Sequence, residues 1–382
     1  MAAIPFARAP VNFETAAPYL KEALDNGWLT TGPLTERFTA ALSDYLATPN
    51  LVALSSCTAA LQIALAAASL PAGSEVIVPA NTFIATFETV ELAGLKPVLA
   101  DIDRDTWNIS LESITSRISE NTSAVIAVPF AGNPINMDEL QALCRRHKLT
   151  LILDCAHALE TRYRGQPLHH YADYSCYSFY ATKNLTTAEG GALICPAEKL
   201  ELVRALSLHG MSRAAWKRYA GGPWRYDIIA TGYKANLTDI HAAIGLAQLG
   251  SLTTNHARRL ELVERYRQQL GGLPVRMQHM PANTSVADHA HHLFCISLSA
   301  NAKRTRDDLM NALAAKQIGF SVHFIPIYEF THTREEYDFP QANFPHTAEY
   351  FAGALSLPLY PTLTNAQQDE VIATLLRAFA DT

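Results

Sequence analysis

The chain has 382 residues, 49% of them apolar and 17% charged, with a net charge of −6. That length exceeds one compact core and implies two or three units of ~100–200 residues each, and the composition argues against disorder. Acidic and basic residues are interspersed, which gives no footprint for nucleic acid or an anionic membrane. The longest uncharged stretch, residues 45–74, is too broken by Pro, Gly, Ser and Thr to span a bilayer.

Residues 1–14 contain no apolar core of signal-peptide length. The six cysteines, at 57, 144, 155, 176, 195 and 295, include no CxxC pair. Together these features predict a reducing, cytoplasmic protein without disulfides. No two glycines stand two apart, so GxGxxG is absent, and so is the GxxxxGK[ST] phosphate loop.

From about residue 51 to 196 short apolar runs alternate with helical patterns. The runs are LVALSS, EVIVPA, KPVLADI, SAVIAVPFAG, TLILDCAH, YSCYSFYAT and GGALICP. They are continuously apolar, which suits strands buried on both faces of a mainly parallel sheet with helical crossovers. The spacing predicts helices over 59–70, 83–94, 111–119 and 137–148. The last runs arrive with little helix between them, so antiparallel neighbours are expected there. Residues 201–232 turn aromatic, basic and Gly-rich. A helix follows over 239–249 with Thr238 as its cap, then a charged amphipathic connector over 258–270. Beyond 271 the pattern is a smaller α+β unit: strand HHLFCISLS, helix 306–317, strand SVHFIP and a closing helix over 367–379. The expected division is a large unit over 1–250 and a small one over 251–382.

Three features of the first unit carry chemistry. The turn Ser56-Cys57-Thr58 opens a helix whose first N–H groups are free, which is an anion site or an ordinary cap. Asp154 ends a buried run, at the sheet edge where α/β folds bind ligands; it is either a cap or a carboxylate awaiting a positive partner. Lys183 sits among Ser178, Thr182, Thr186 and Thr187, either a surface-turn lysine or a desolvated amine able to form a Schiff base. In combination, a phosphate turn, an acid and a lysine match the demands of pyridoxal phosphate.

The blocks GWLTTGPLTERF, SSCTAALQIAL, PANTFIATFETVELAGLKPVLADID, DCAHALE, SFYATKNLTTAEGG, LHGMSR, GYKANLTDIHAAIGLAQL, IGFSVHFIP and LSLPLYPTLT cover nearly the whole chain. In them the sequence resembles the DegT/DnrJ/EryC1/StrS sugar aminotransferases, fold-type I pyridoxal-phosphate enzymes. The resemblance implies an α/β fold: a large domain with a mainly parallel, mixed seven-stranded sheet between helices, and a smaller C-terminal α+β domain. It implies Lys183 as the Schiff-base lysine, Asp154 at the pyridinium nitrogen, His157 beside the phenolic oxygen and Phe83 stacked on the ring. Cys57, Thr58 and Ser178 would hold the phosphate, completed by Asn236 from the other subunit of a homodimer. Cys57 replaces the glycine common in that turn. Substrate contacts are implied at His209, Arg213 and His323.

The implied reaction transfers the amine of glutamate to a nucleotide-linked keto-sugar, in amino-sugar and surface-polysaccharide biosynthesis. GWLTTGP and DCAHA look most like members acting on UDP-4-keto sugars; 3-keto and dTDP-linked sugars are the alternative. Relatives with His in place of the lysine are sugar dehydratases, so Lys183 favours transamination. The basic residues Arg213, Lys217, Arg218 and Arg225 either meet the diphosphate or form a solvated face. Two competing readings stand beside this one. Asp288, His289, His291 and His292 would make a metal-dependent hydrolase, and cofactor binding without turnover would make a regulator.

Overall fold

The computed structural model describes residues 3–212 and 225–380. All seven apolar runs form strands. They are β1 (Leu51–Leu54), β2 (Glu75–Pro79), β3 (Lys96–Ala100), β4 (Thr122–Ala127) and β5 (Thr150–Asp154), then, after a two-residue hairpin β6 (Arg162–Tyr163) and β7 (Gln166–Pro167), β8 (Tyr174–Ser178) and β9 (Gly191–Ile194). One sheet contains them in the order β1-β9-β8-β5-β4-β2-β3. β2, β3, β4, β5 and β8 pair in parallel. β9 runs antiparallel to both β1 and β8, so the expected antiparallel neighbours are its two.

The strands are apolar throughout because alternate residues enter different cores. Ile77, Val125, Leu151 and Leu153 pack in one cluster with residues of the helices Phe13–Asp25, Pro33–Leu46, Met137–His147 and Asp239–Leu249. Val76, Val78, Ile126 and Ile152 pack in the other, with the helices Cys57–Ala68, Ile84–Leu92 and Leu200–Leu206. A period of two on each face sums to an unbroken apolar run when both faces are covered.

The two N-terminal helices have no counterpart in the sequence reading. Their junction explains GWLTTGP structurally. The buried Asp239 carboxylate accepts from the backbone N–H groups of Gly32, Leu34 and Thr35 at 2.8, 3.1 and 2.9 Å. It therefore caps the helix Pro33–Leu46 from another helix, and that helix has no side-chain cap of its own at Gly32.

The helix Leu252–Leu270 begins six residues before the expected connector, with Leu252 buried at its start. It leads to a three-stranded antiparallel sheet in the order β10 (Val275–Met277), β11 (Phe294–Leu298), β12 (Ala354–Leu357). This sheet packs with the helices Arg306–Ala315 and Asn365–Ala380 in a separate cluster, which also takes in Ile4. SVHFIP does not form the expected strand. Ser321 makes one bridge to Ser356. The chain then leaves the sheet: the Phe324 N–H donates to Asn81 Oδ1 at 3.1 Å and the Ile327 N–H to the Ala80 carbonyl at 2.9 Å. Those bonds tie it to the end of β2 instead.

Candidate active site

Every strand of the large sheet except β9 runs the same way, so their carboxyl ends share one edge. β9 adds its amino end there. A cavity of about 460 Å³ opens at that edge. Its walls include Ser56, Cys57 and Thr58 after β1, Thr82 and Phe83 after β2, Asp154 at the end of β5 and His157 just past it, Ser178 at the end of β8, Lys183 and Gly190 between β8 and β9, and His292, His323 and Phe324 from the C-terminal part. Eight of the anticipated residues (Cys57, Thr58, Phe83, Asp154, His157, Ser178, Lys183 and His323) thus meet at one site.

Lys183 is positioned by a loop that its own hydroxyls tie. Thr186 Oγ1 donates to the Phe179 carbonyl at 3.1 Å and accepts from the Ala188 N–H at 2.9 Å. The buried Gln248 amide brackets Thr186, donating to its carbonyl at 2.6 Å and accepting from its N–H at 3.2 Å. The half-buried lysine is short of solvent, which lowers its pKa to about 8 against the opposing pull of Asp154 and Cys57.

Asp154 is buried and its oxygens are engaged. Oδ2 accepts from Thr86 Oγ1 at 2.8 Å. Oδ1 accepts from the Ala156 N–H at 3.1 Å and from Cys57 Sγ at 3.5 Å. No helix starts here, so the capping alternative falls away. Thr86, itself paired with Thr82 Oγ1 at 2.8 Å, lies one helical turn beyond Phe83; the sequence reading passed over it. Burial, aided by Asp154, holds the Cys57 thiol well above its ordinary pKa, so it stays protonated and can donate.

The turn Ser56-Cys57-Thr58 opens a helix, and Ser56 serves it as an ordinary cap. Ser56 Oγ caps the helix Cys57–Ala68 by accepting from the Ala59 N–H at 3.0 Å. The N–H groups of Cys57 and Thr58 stay available, as the first ones of any helix do. Gly191 is required beside them: a Cβ there would stand 2.4 Å from the Ser56 carbonyl carbon and 2.6 Å from the Cys57 nitrogen. The Phe83 ring is 59% exposed at the mouth, open to a planar partner.

His157 Nδ1 accepts from the Ala131 N–H at 3.2 Å, so the neutral ring carries its proton on Nε2. Burial and Lys183 hold it well below the usual histidine pKa. His323 Nδ1 pairs with Ser356 Oγ at 2.8 Å, and its ring lies 5.6 Å from that of Phe6. Burial, then Lys183, lower His323 to about 4. Phe6, Phe324 and His292 are wall residues that the sequence reading did not place at the site.

The remaining candidates lie elsewhere. Asn236 does not line this chain's cavity; its amide donates to Thr31 Oγ1 at 2.6 Å. His209 is exposed, its N–H bonded to the Tyr233 carbonyl at 2.8 Å. Arg213, Lys217 and Arg218 lie outside the described residues; Arg225 is exposed. The proposed metal cluster is otherwise employed. Asp288 Oδ2 accepts from the Ser285 N–H and Oγ, and His291 Nε2 pairs with the Val286 carbonyl at 2.8 Å. Among the described residues no group of three or more His, Cys, Asp or Glu side chains is placed to hold a metal ion. None of their helices is long and apolar enough to cross a membrane.

These elements suit pyridoxal phosphate: a desolvated amine, a hydrogen-bonded carboxylate, a helix N-terminus and an open aromatic face share one cavity. Comparisons agree. The profile of the DegT/DnrJ/EryC1/StrS aminotransferase family matches residues 12–376. The spore coat polysaccharide biosynthesis protein SpsC of Bacillus subtilis is 39% identical over 358 residues, covering 92% of this chain and 91% of its own. The putative sugar aminotransferase Spr1654 of Streptococcus pneumoniae superposes in its PMP-form with a TM-score of 0.92 at 31% identity, covering 99% of each chain. Its PLP-form gives the same TM-score at 30% identity, covering 100% of this chain and 99% of the other.

Proposed function

The chain belongs to the DegT/DnrJ/EryC1/StrS aminotransferase family, and from that premise we propose that it moves the amino group of glutamate onto the keto carbon of a nucleotide-linked sugar, a UDP-4-keto sugar in particular. The protein is a sugar aminotransferase, and its cofactor is pyridoxal 5'-phosphate. The product is an amino sugar for a surface polysaccharide or related glycan. The observation that carries this reading is the meeting of Lys183 and Asp154 at one cavity, with the lysine amine desolvated and its pKa lowered to about 8.

When bound, the cofactor supplies an aldehyde for amines and a ring that withdraws electrons from the substrate carbon. Lys183 would hold the aldehyde. Asp154 would keep the ring nitrogen protonated, held in place by Thr86 and Cys57. The Cys57 and Thr58 N–H groups and the Ser178 hydroxyl would take the phosphate, with the helix dipole favouring its charge. Phe83 would cover the ring face, and the His157 Nε2–H would meet the phenolic oxygen. The Lys183 amine would be the proton carrier at the substrate carbon: its lowered pKa leaves a larger share of it neutral, and so able to accept a proton, near neutral pH.

Two copies would complete each other's sites in a homodimer, Asn236 of each reaching the phosphate of the other. Residues 1–250 and 251–382 would act as two units with the cavity between them. One experiment tests the reading. Glutamate should bleach the visible absorption of the reconstituted protein, and one member of a panel of UDP- and dTDP-linked 3-keto and 4-keto sugars should restore it. Absence of bleaching, or restoration by no sugar, refutes it.

A further inference from the structure

His292 sits at the entrance to β11, in the cavity wall, 5% exposed. Its Nδ1 is 3.1 Å from Asn184 Oδ1. The orientation of that amide is set at its other end, where Nδ2 donates to Glu160 Oε2 at 3.0 Å and to the Ala290 carbonyl at 2.8 Å. Both of those partners are acceptors, so the end facing His292 is the amide oxygen. His292 therefore donates from Nδ1, and its Nε2 carries a lone pair. Nε2 has no hydrogen bond among the described residues.

His157 is the contrasting neighbour. The two rings lie 4.6 Å apart between centroids, tilted by 37°. His157 accepts at Nδ1 and carries its proton on Nε2. Two adjacent imidazoles are thus locked in opposite tautomers, one a donor and one an acceptor. Burial, then Lys183, hold both far below the usual histidine pKa, so both stay neutral. The support behind His292 is itself buried. Arg259 Nη1 donates to the carbonyls of His291, His292 and Leu359 at 3.3, 3.4 and 3.0 Å, fixing the backbone that carries the ring.

His292 lines the cavity, so its Nε2 lone pair is open to a donor that a ligand brings there. Glutamate brings two carboxylates, which repel a lone pair, and one amino group, which is the group being transferred and is engaged at the cofactor. A keto-sugar brings hydroxyl groups, which are neutral donors. We propose that His292 Nε2 is the acceptor for a hydroxyl of the keto-sugar, and that Asn184 and Glu160 are positioning residues that fix its tautomer. This inference rests on the function proposed above and adds a residue that separates the sugar half-reaction from the glutamate half-reaction. A site built to bond a hydroxyl loses far more when that bond is removed than an apolar wall would.

The test compares His292→Leu with His292→Gln, whose amide oxygen reaches the place of Nε2. Each half-reaction is followed by the cofactor's visible absorption, with glutamate and with a UDP-linked 4-keto-6-deoxy-hexose. His292→Leu should lower kcat/KM for the sugar about 10²-fold, at least ten times more than for glutamate, and His292→Gln should recover most of that loss. Equal losses in both half-reactions, or no recovery in His292→Gln, overturn the proposal and assign the ring a structural role or one toward Lys183. Thermal melting of both variants identifies a failure to fold, and a second readout then decides. In ¹⁵N-histidine-labelled wild-type protein without cofactor, His292 should show a protonated Nδ1 and a bare Nε2, and His157 the reverse. A protonated His292 Nε2 overturns the proposal. Failure of the underlying function is seen separately, in wild-type protein that glutamate does not bleach.

Discussion

Two regions face the cavity, and they differ in kind. The carboxyl edge of the seven-stranded sheet supplies the charged and hydrogen-bonding groups, Lys183, Asp154 and the turn at Cys57 and Thr58. The C-terminal part supplies uncharged walls, His292, His323, Phe324, Leu357 and Leu359. The first set stands on strand ends and tight loops, where parallel strands leave unpaired backbone at one edge. The second set is brought in by packing between distant segments, as when the Phe324 N–H bonds Asn81 across 243 residues. On the function proposed above, the sheet edge would serve chemistry common to both half-reactions, and the walls would choose the sugar. Substitutions at the edge should damage both halves of the cycle, and substitutions in the walls mainly the sugar half.

The largest effect belongs to Lys183. Lys183→Ala should lose about 10⁴-fold or more in turnover, since both the covalent holder and the proton carrier are gone. Cofactor should still bind, and glutamate should no longer bleach it; an alanine variant that still transaminates would break the comparison at its strongest point. The same lysine gives a pH signature in the cofactor-free protein. Its folded pKa of about 8 lies below the ordinary 10.5. Between those values the unfolded chain holds a proton that the folded one lacks, so stability rises with pH across that window. Thermal melting from pH 8 to 10 should show a rise that Lys183→Met lacks.

Asp154→Asn comes next. The amide cannot hold a proton on the ring nitrogen, and turnover should fall about 10²–10³-fold in both half-reactions, the scale of losing one preorganised electrostatic group. The fold should survive this nearly isosteric change. Near-normal rates would move the nitrogen's partner elsewhere.

Mixed dimers sharpen the comparison by asking whether the edge is complete in one chain. Lys183→Ala and Asn236→Asp should each be poor alone, the second because its charge opposes the phosphate. In a random mixture half the dimers are mixed, each with one intact site of two, so activity should recover to about a quarter of wild type. With mixed dimers confirmed by mass, no recovery would show that Asn236 serves its own chain or does not touch the phosphate.

The smallest effect is expected in the wall. Phe6 joins the cavity because Ile4 pairs with the backbone of 317–319, its N–H donating to the Gln317 carbonyl at 3.0 Å and its carbonyl accepting from Gly319 at 2.7 Å. Phe6→Ala removes the ring stacked near His323 and should raise KM for the sugar about 2–10-fold, the worth of one aromatic contact, with a smaller change in kcat. A larger loss with glutamate than with the sugar would contradict the division of labour.

Much of this was readable from the chain because it is local. A continuous apolar run bounded by turn residues specifies a doubly covered strand, and a residue just past its end must lie at the sheet edge. That logic placed Asp154 at the edge and the Ser56-Cys57-Thr58 turn and Lys183 just past other strands; what grouped them was the set of demands a single cofactor makes, and the role of Ser178 came from the family resemblance. The meaning of His157 and Phe83 came from the family resemblance, since an isolated ring in sequence has no orientation. Other features depend on partners far along the chain. Asp239 caps a helix some two hundred residues earlier, Thr86 braces a carboxylate 68 residues away, and SVHFIP leaves its sheet to bond with Ala80 and Asn81 after β2. The tautomer of His292 is set by an amide 108 residues away whose own direction depends on Glu160 and Ala290. Periodicity reports which face of an element is buried; which distant group meets that face is settled only when the elements pack and every buried polar atom must find its partner.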